Sequence, residues 1–291
     1  MPSSTVQSLA QSKDTQLYRF EYKTDKDVPY WADTLTIPWP IRQLLIKYSG
    51  IPAEDVEKEL LALRAGAWET FPFPCIGNFD FLGLALSLRN LLYPRLLSRL
   101  QPGGARFLDV GCCLGQDIRK LVFDGAPAEN LVGLELRQGY INLGYDLFRD
   151  RSKLGAKMLQ GDFVNDSLDD KEIWGRFDIV NFSMVLHVFS WEDQVRLLER
   201  GIKALKPNTS GTSIIGLACG SLDGKIEDWG GQVPAHNEES FVRLVKEVEE
   251  RTGTRWEVDV ELDTFFDVGD PKHAFLGPEF RRVVFELTRL P

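Results

Sequence analysis

Phe107-Leu108-Asp109-Val110-Gly111-Cys112-Cys113-Leu114-Gly115-Gln116-Asp117 is an apolar run ending in an acid, followed by a glycine-bearing turn that leads into a helical pattern. In the dinucleotide pattern G-x-G-x-x-G, the second glycine lets a pyrophosphate touch the backbone and the third lets the helix pack tightly on its strand. Counted from Gly111, those two places hold Cys113 and Gln116. A Cβ there intrudes where phosphates must sit, so NAD and FAD are disfavoured. What remains is Asp109-x-Gly111-x-Cys113-x-Gly115, a loop that can bend around a ligand without gripping an anion.

The next acid at the end of an apolar run is Glu135, 20 positions after Gly115. That spacing returns the chain to the neighbouring strand, where a carboxylate can accept two hydrogen bonds from a ribose diol. A third run ends at Gln160-Gly161-Asp162-Phe163. Asp162 can accept an adenine amino proton there, and Phe163 offers an aromatic face to the base. Ribose and adenine without phosphate, held by three acids at strand tips, suit the cation S-adenosylmethionine. Each acid taken alone is equally a helix cap or a solvated turn; the ordered set of three is what points to the nucleoside.

Outward from the loop, residues 105–111, 130–136, 156–162, 176–183 and 212–220 read as strands, with helical patterns at 115–125, 137–150, 191–207 and 237–253. Such alternation predicts parallel strands joined by crossovers and covered on both faces. Two further strands, 256–262 and 281–287, have no helix between them, which predicts an antiparallel hairpin at one edge. The fold class is therefore α/β with a Rossmann-like, mostly parallel sheet.

Upstream, residues 1–28 are polar and charged and read as a flexible N-terminal arm. Residues 29–103 carry short helical patterns around Ile41–Tyr48 and through Ala53–Gly66, then Phe71–Phe81, too rich in proline and glycine for a regular element. A long apolar stretch, 81–100, predicts a helix bent near Pro94. Tyr30, Trp31, Trp39, Trp68, Phe71, Phe73, Phe79 and Phe81 crowd this section, which reads as a helical cap over residues 104–291. These rings either dock helices on the sheet or give an apolar acceptor a dry wall, and the two roles are compatible. A homodimer through the cap, with one chain's arm lidding its partner's pocket, is an open alternative.

The chain has 291 residues, is 43% hydrophobic and 26% charged, and carries a formal charge of −9. An acidic protein with no basic cluster beyond Arg281-Arg282 repels nucleic acid and anionic membranes. No apolar run approaches bilayer length and the N-terminus has no apolar leader core, so a cytoplasmic protein is expected. Cys75, Cys112, Cys113 and Cys219 lack metal-ligand spacing, so no metal is expected and the thiols are read as reduced.

Three stretches, FPFPCIGNFDFL from Phe71, GCCLGQDIRKLVFDGAPAENLVGLEL from Gly111 and SMVLHVFSWEDQVRLL from Ser183, carry a resemblance. Residues 105–289 resemble class I S-adenosylmethionine-dependent methyltransferases. From Tyr30 onward the chain is similar to fungal O-methyltransferases of meroterpenoid and polyketide pathways, such as those making austinol, terretonin and andrastin. The resemblance implies an enzyme that methylates a carboxyl or hydroxyl of a small hydrophobic natural product. It also implies Asp109, Gly111, Cys112 (through its backbone), Gly115, Glu135, Leu136, Asp162 and Phe163 around the cofactor.

Methyl transfer demands positioning above all, and a carboxylate acceptor needs no base, whereas a phenol gains from a histidine. His187 and His236 are the candidates for a base or an acceptor-binding group, each weighed against a packed structural role; His273 reads as a loop residue. A methyltransferase-fold enzyme that catalyses dehydration or cyclisation is the other enzymatic possibility, and a non-enzymatic regulator with a degenerate site the third.

Overall fold

The computed structural model describes residues 25–87, 92–164, 168, 170–224, 235–263, 275 and 277–291. His273 and most of the N-terminal arm lie outside the described residues. In chain order the elements are α1 (Trp39–Lys47), α2 (Val56–Thr70), α3 (Pro74–Gly77), α4 (Leu92–Arg99), β1 (Phe107–Val110), α5 (Gln116–Phe123), β2 (Leu131–Glu135) and α6 (Gln138–Phe148). They continue with β3 (Lys157–Gln160), α7 (Asp170–Ile173), β4 (Ile179–Asn181), α8 (Trp191–Ala204), β5 (Ser213–Ser221), α9 (Glu238–Thr252), β6 (Trp256–Asp263) and β7 (Phe280–Arg289).

The seven strands form one sheet in the order β3-β2-β1-β4-β5-β7-β6. Neighbours among β1 to β5 run parallel, as crossover connections require. β7 lies antiparallel to both β5 and β6. The expected terminal hairpin is present, and its later strand is the one slotted against β5. Every residue of β1, β2, β4 and β5 is buried, because helices cover both faces there. On one face Leu197, Leu198, Leu244 and Val248 pack with Val180, Phe182 and Phe285; on the other, Leu96, Leu100, Ile118 and Leu121 pack with Phe107, Leu131 and Ile179. Strand β6, at the sheet edge, alternates in burial for most of its length.

The helices before the sheet have their own apolar core, in which Leu44, Leu45, Leu60 and Trp68 meet Tyr140, Leu147 and Phe148 of α6. Tyr140 donates its hydroxyl to the Phe71 carbonyl at 2.6 Å. This section is thus packed onto the β2–β3 side of the sheet, and the chain from Phe71 onward leaves that anchor towards the strand tips.

The long bent helix expected over residues 81–100 is not formed. The chain makes one 3-10 turn at Asp80–Gly83 and turns left-handed at Leu84 (φ 52°), and the next helix among the described residues is α4. Pro94 therefore sits in the first turn of a helix, where its missing N–H has no intrahelical acceptor, rather than at an internal bend. After Leu84 the chain crosses to α5, where the Leu86 N–H donates to Asp117 at 3.1 Å. Nor is the stretch from Phe71 to Phe81 wholly irregular, since Pro74 opens the single turn of α3. Among the described residues no helix is long and apolar enough to cross a membrane.

Candidate functional site

Asp109 is the third residue of β1 and is buried. Its neighbour in register on β4 is Asn181, whose side-chain amide donates to it at 2.7 Å. Asn181 in turn accepts from the Ser183 hydroxyl at 2.7 Å. The chain then makes its turn with Gly111, Cys113 and Gly115 all left-handed, at φ 72°, 53° and 68°. A Cβ on Gly111 would lie 2.6 Å from Val185 Cγ2, and one on Gly115 would lie 2.5 Å from Met158 Cε. Both glycines are therefore fixed by backbone angle, and Gly111 by the β-branched Val185 as well. Cys113 adopts the same region with a side chain, a strain of about 1–2 kcal/mol that neighbouring bonds must hold in place.

Glu135, the last residue of β2, supplies one of those bonds. Its carboxylate accepts from the Cys113 N–H at 3.0 Å and from the Arg137 N–H at 2.9 Å. The backbone of Cys112 is engaged as well, its N–H donating to the Leu134 carbonyl at 3.1 Å and its carbonyl accepting from Gly115 at 2.7 Å. Leu136 is half-buried, its carbonyl accepting from the Gln160 side chain at 3.1 Å. Asp162 follows β3 and accepts from the Val164 N–H at 2.8 Å. So Asp109, Glu135 and Asp162 stand at successive strand ends on the carboxyl edge of the sheet, where open α/β sheets bind ligands.

Phe163 does not present its face to that edge. Its ring is 5% exposed and packs 5.7 Å from both Trp174 and Phe182, inside the main core. The side chain alternates away because the apolar space under α8 takes it, leaving only its main chain beside Asp162.

The floor of the crevice is electrostatically loaded. Burial, with Asp117 nearby, pushes the Asp109 carboxyl up to about 8, although the Asn181 amide opposes this. Burial also raises Glu135, offset by its backbone donors, and lifts Asp117 to about 6. Such an arrangement favours a bound cation, which relieves the repulsion among the three. Asn181 and Asp117 were not singled out from sequence; a lone polar residue inside the apolar run Phe177–Phe182 was the available signal for Asn181.

Packed against the glycine turn is the segment from Phe71 to Gly83. Burial pushes the Cys75 thiol up to about 12, with Asp80 and Glu135 adding to the effect, and the Cys219 thiol on β5 feels both Asp80 and Cys75. The segment shares an apolar cluster with Cys113 and Leu114 of the glycine turn through Phe71, Phe79 and Phe81, and its Phe71 ring lies 4.0 Å from the Arg137 guanidinium. It is braced by Arg64, whose guanidinium lies 4.0 Å from the Trp31 ring and 4.1 Å from the Phe79 ring. Arg64 also donates to the Ala32 and Gly77 carbonyls at 2.7 and 3.1 Å. The Tyr30 ring closes against Phe275 at 5.6 Å. Met184, left-handed at φ 59° and 37% exposed, puts a large apolar side chain just past the end of β4.

His236 is buried and both its ring nitrogens are used: Nε2 lies 2.7 Å from Gln194 Oε1 and Nδ1 lies 3.0 Å from Ser240 Oγ. Gln194 donates its amide to Phe189, so its oxygen accepts and Nε2 carries the proton. Neither nitrogen is left for an acceptor molecule, and His236 is a bracket for the capping box that opens α9. His187, in the 3-10 turn after β4, is buried; desolvation pushes both histidines down to about 4. Among the described residues no group of three or more His, Cys, Asp or Glu could hold a metal ion.

Two family models match the chain, the meroterpenoid methyltransferase N-terminal domain over residues 30–82 and a methyltransferase domain over residues 107–208. The chain is 38% identical to O-methyltransferase atr3 of Stereocaulon alpinum, across 92% of this chain and 78% of that one. It is 35% identical to the asnovolin E/chermesin D methyltransferase nvfJ of Aspergillus novofumigatus, across 76% and 80%. An N-methyltransferase of Haemonchus contortus, solved with S-adenosylhomocysteine, shares the fold at a TM-score of 0.52 and 13% identity, covering 90% of this chain and 62% of that one. The left-handed glycine turn and the floor of buried acids, whose ionised forms a cation would favour, fit S-adenosylmethionine, the cofactor of such enzymes. With relatives this similar over nearly its whole length, the chain belongs to the meroterpenoid-type, S-adenosylmethionine-dependent methyltransferases of fungi.

Proposed function

We propose that the enzyme transfers a methyl group from S-adenosylmethionine to an oxygen, a carboxylate or hydroxyl, of a hydrophobic polyketide or meroterpenoid intermediate. The observation that carries this is the set of acids at the tips of β1, β2 and β3 beside a glycine turn against which the aromatic cap packs. Names of the relatives support oxygen as the target, since atr3 is an O-methyltransferase. Within this scheme residues 29–103 are the cap, residues 104–291 the cofactor domain, and the enzyme works in the cytoplasm.

When bound, the cofactor supplies an electrophilic methyl carbon for in-line displacement. Glu135 takes the ribose diol, Asp162 and the main chain at Phe163 take the adenine amino edge, and the turn from Gly111 to Gly115 with Asp109 cradles the remainder, flanked by Cys112 and Leu136. The cap excludes water and orients the acceptor, which is the main demand of such a displacement. Because both histidines are pushed down to about 4, neither is matched to deprotonating a phenol. A carboxylate acceptor, already anionic at pH 7, fits the site best.

The test is incubation of the purified protein with methyl-labelled S-adenosylmethionine and a panel of terpenoid and aromatic acids alongside the corresponding alcohols and phenols. Mass spectrometry should find the label as a methyl ester. An acceptor dehydrated or cyclised without label, or label on nitrogen or carbon, would overturn the assignment.

A further inference from the structure

Among the described residues, the largest fully buried side chain is a cation. Arg119, on α5, is 0% exposed and forms a two-pronged pair with Asp150, Nε to Oδ2 at 2.8 Å and Nη2 to Oδ1 at 2.9 Å. Burying such a pair contributes little net stability compared with apolar residues of the same volume, so stability does not explain its place. Its remaining donor does. Nη1 reaches two carbonyls of the glycine turn, Leu114 at 2.7 Å and Gly115 at 3.2 Å. The Phe148 ring lies 4.6 Å beneath the guanidinium, and the Tyr48 hydroxyl, from the C-terminal end of α1 in the cap, donates to Asp150 at 2.8 Å.

The turn is strained at Cys113 and is gripped from two sides. In front, Glu135 holds the Cys113 N–H; behind, Arg119 holds the Leu114 and Gly115 carbonyls. A ribose diol that engages Glu135 competes for the front grip, whereas the rear one is made by a fully buried side chain. We propose that Arg119, fixed by Asp150, is a positioning residue that keeps the Cys113–Gly115 backbone in its cofactor-binding shape while Glu135 turns to the nucleoside. Through Tyr48 the same anchor joins the cap to the turn. This rests on the assignment of the turn and Glu135 to the cofactor.

The test uses the full chain, with two readouts: the melting temperature without ligand and the affinity for S-adenosylhomocysteine by titration calorimetry. Arg119→Lys keeps a charge for Asp150 but cannot also span the two carbonyls. It should melt within a few degrees of the parent and bind about tenfold or more weakly, the worth of one charge-assisted hydrogen bond. Parent affinity in that variant overturns the proposal. If Arg119→Lys fails to fold, the apolar replacement Tyr48→Phe, Arg119→Met and Asp150→Leu decides on the same readouts; if that too fails to fold, the pair is a requirement of the fold and the proposal is overturned. Glu135→Ala separates the two claims. Loss of affinity there, with parent affinity in the Arg119 variant, removes the positioning role and leaves the site assignment standing. Parent affinity in both removes the site assignment itself.

Discussion

The amide of Asn181 on β4 donates to the carboxyl of Asp109 on β1 at 2.7 Å, across adjacent strands in register. That bond is the main favourable partner of a carboxyl that burial and Asp117 still push up to about 8. A folded value above the unfolded one means that the fold keeps a proton the unfolded chain has lost. Stability is then full below the ordinary carboxylate value of 3.8 and declines as pH rises towards 8. Asp117, lifted to about 6, acts in the same sense over the lower part of that window. Melting of the ligand-free protein should therefore occur at lower temperature at pH 8 than at about pH 6.5, and Asp109→Asn should flatten this decline. A parent profile that rises across this interval would contradict the assignment.

Cofactor binding should release protons. A sulfonium beside Asp109 favours the anionic carboxylate, so S-adenosylmethionine bound at pH 7 displaces part of a proton, and S-adenosylhomocysteine, without the sulfonium charge, displaces less. Calorimetry in two buffers of different ionisation enthalpy measures the difference. Equal release for the two ligands would show that Asp109 does not sense the sulfonium.

Gly111→Ala places a Cβ 2.6 Å from Val185 Cγ2 at φ 72°. The strained backbone alone should destabilise the protein by about 1–2 kcal/mol, and the turn should lose cofactor affinity. Adding Val185→Ala removes the collision but not the angle, so chemical denaturation should show only partial recovery; full recovery would mean the backbone angle carries no penalty.

His236→Ala strips partners from Gln194 and Ser240 inside the core. A loss of about 1–3 kcal/mol in stability is expected, with cofactor affinity little changed. Because burial holds both His236 and His187 near 4, the pH profile of kcat/KM should show no limb in the ordinary histidine range around 6.5. A limb there that vanishes in His187→Asn would restore a catalytic role to that residue.

The sheet was legible because parallel strands buried on both faces must be short and apolar, and because an acid at the end of such a run stands out, as Asp109 and Glu135 do. The order β5-β7-β6 was less so: the absence of a helix between the last two strands shows that they pair, but which of them lies against β5 depends on packing. The stretch from Phe81 to Leu100 misled because its composition suits a helix, while just past the reversal at Leu84 the Leu86 N–H is tied to Asp117 on α5, 31 residues further on. Phe163 is placed by the core it fills, not by its neighbour Asp162. Pairs such as Tyr48 with Asp150 or Asn181 with Asp109 join residues 102 and 72 positions apart and leave no periodic trace.

The strand order also dictates when the molecule can be finished. β7 is synthesised after β6 yet stands between it and β5, so until residues 280–289 have left the ribosome β5 shows a bare, largely apolar edge and β6 lacks its partner strand. An emerging chain at that stage is exposed to strand-to-strand aggregation and needs shelter by chaperones, and truncations just before Phe280 should accumulate in inclusion bodies rather than as a smaller working enzyme.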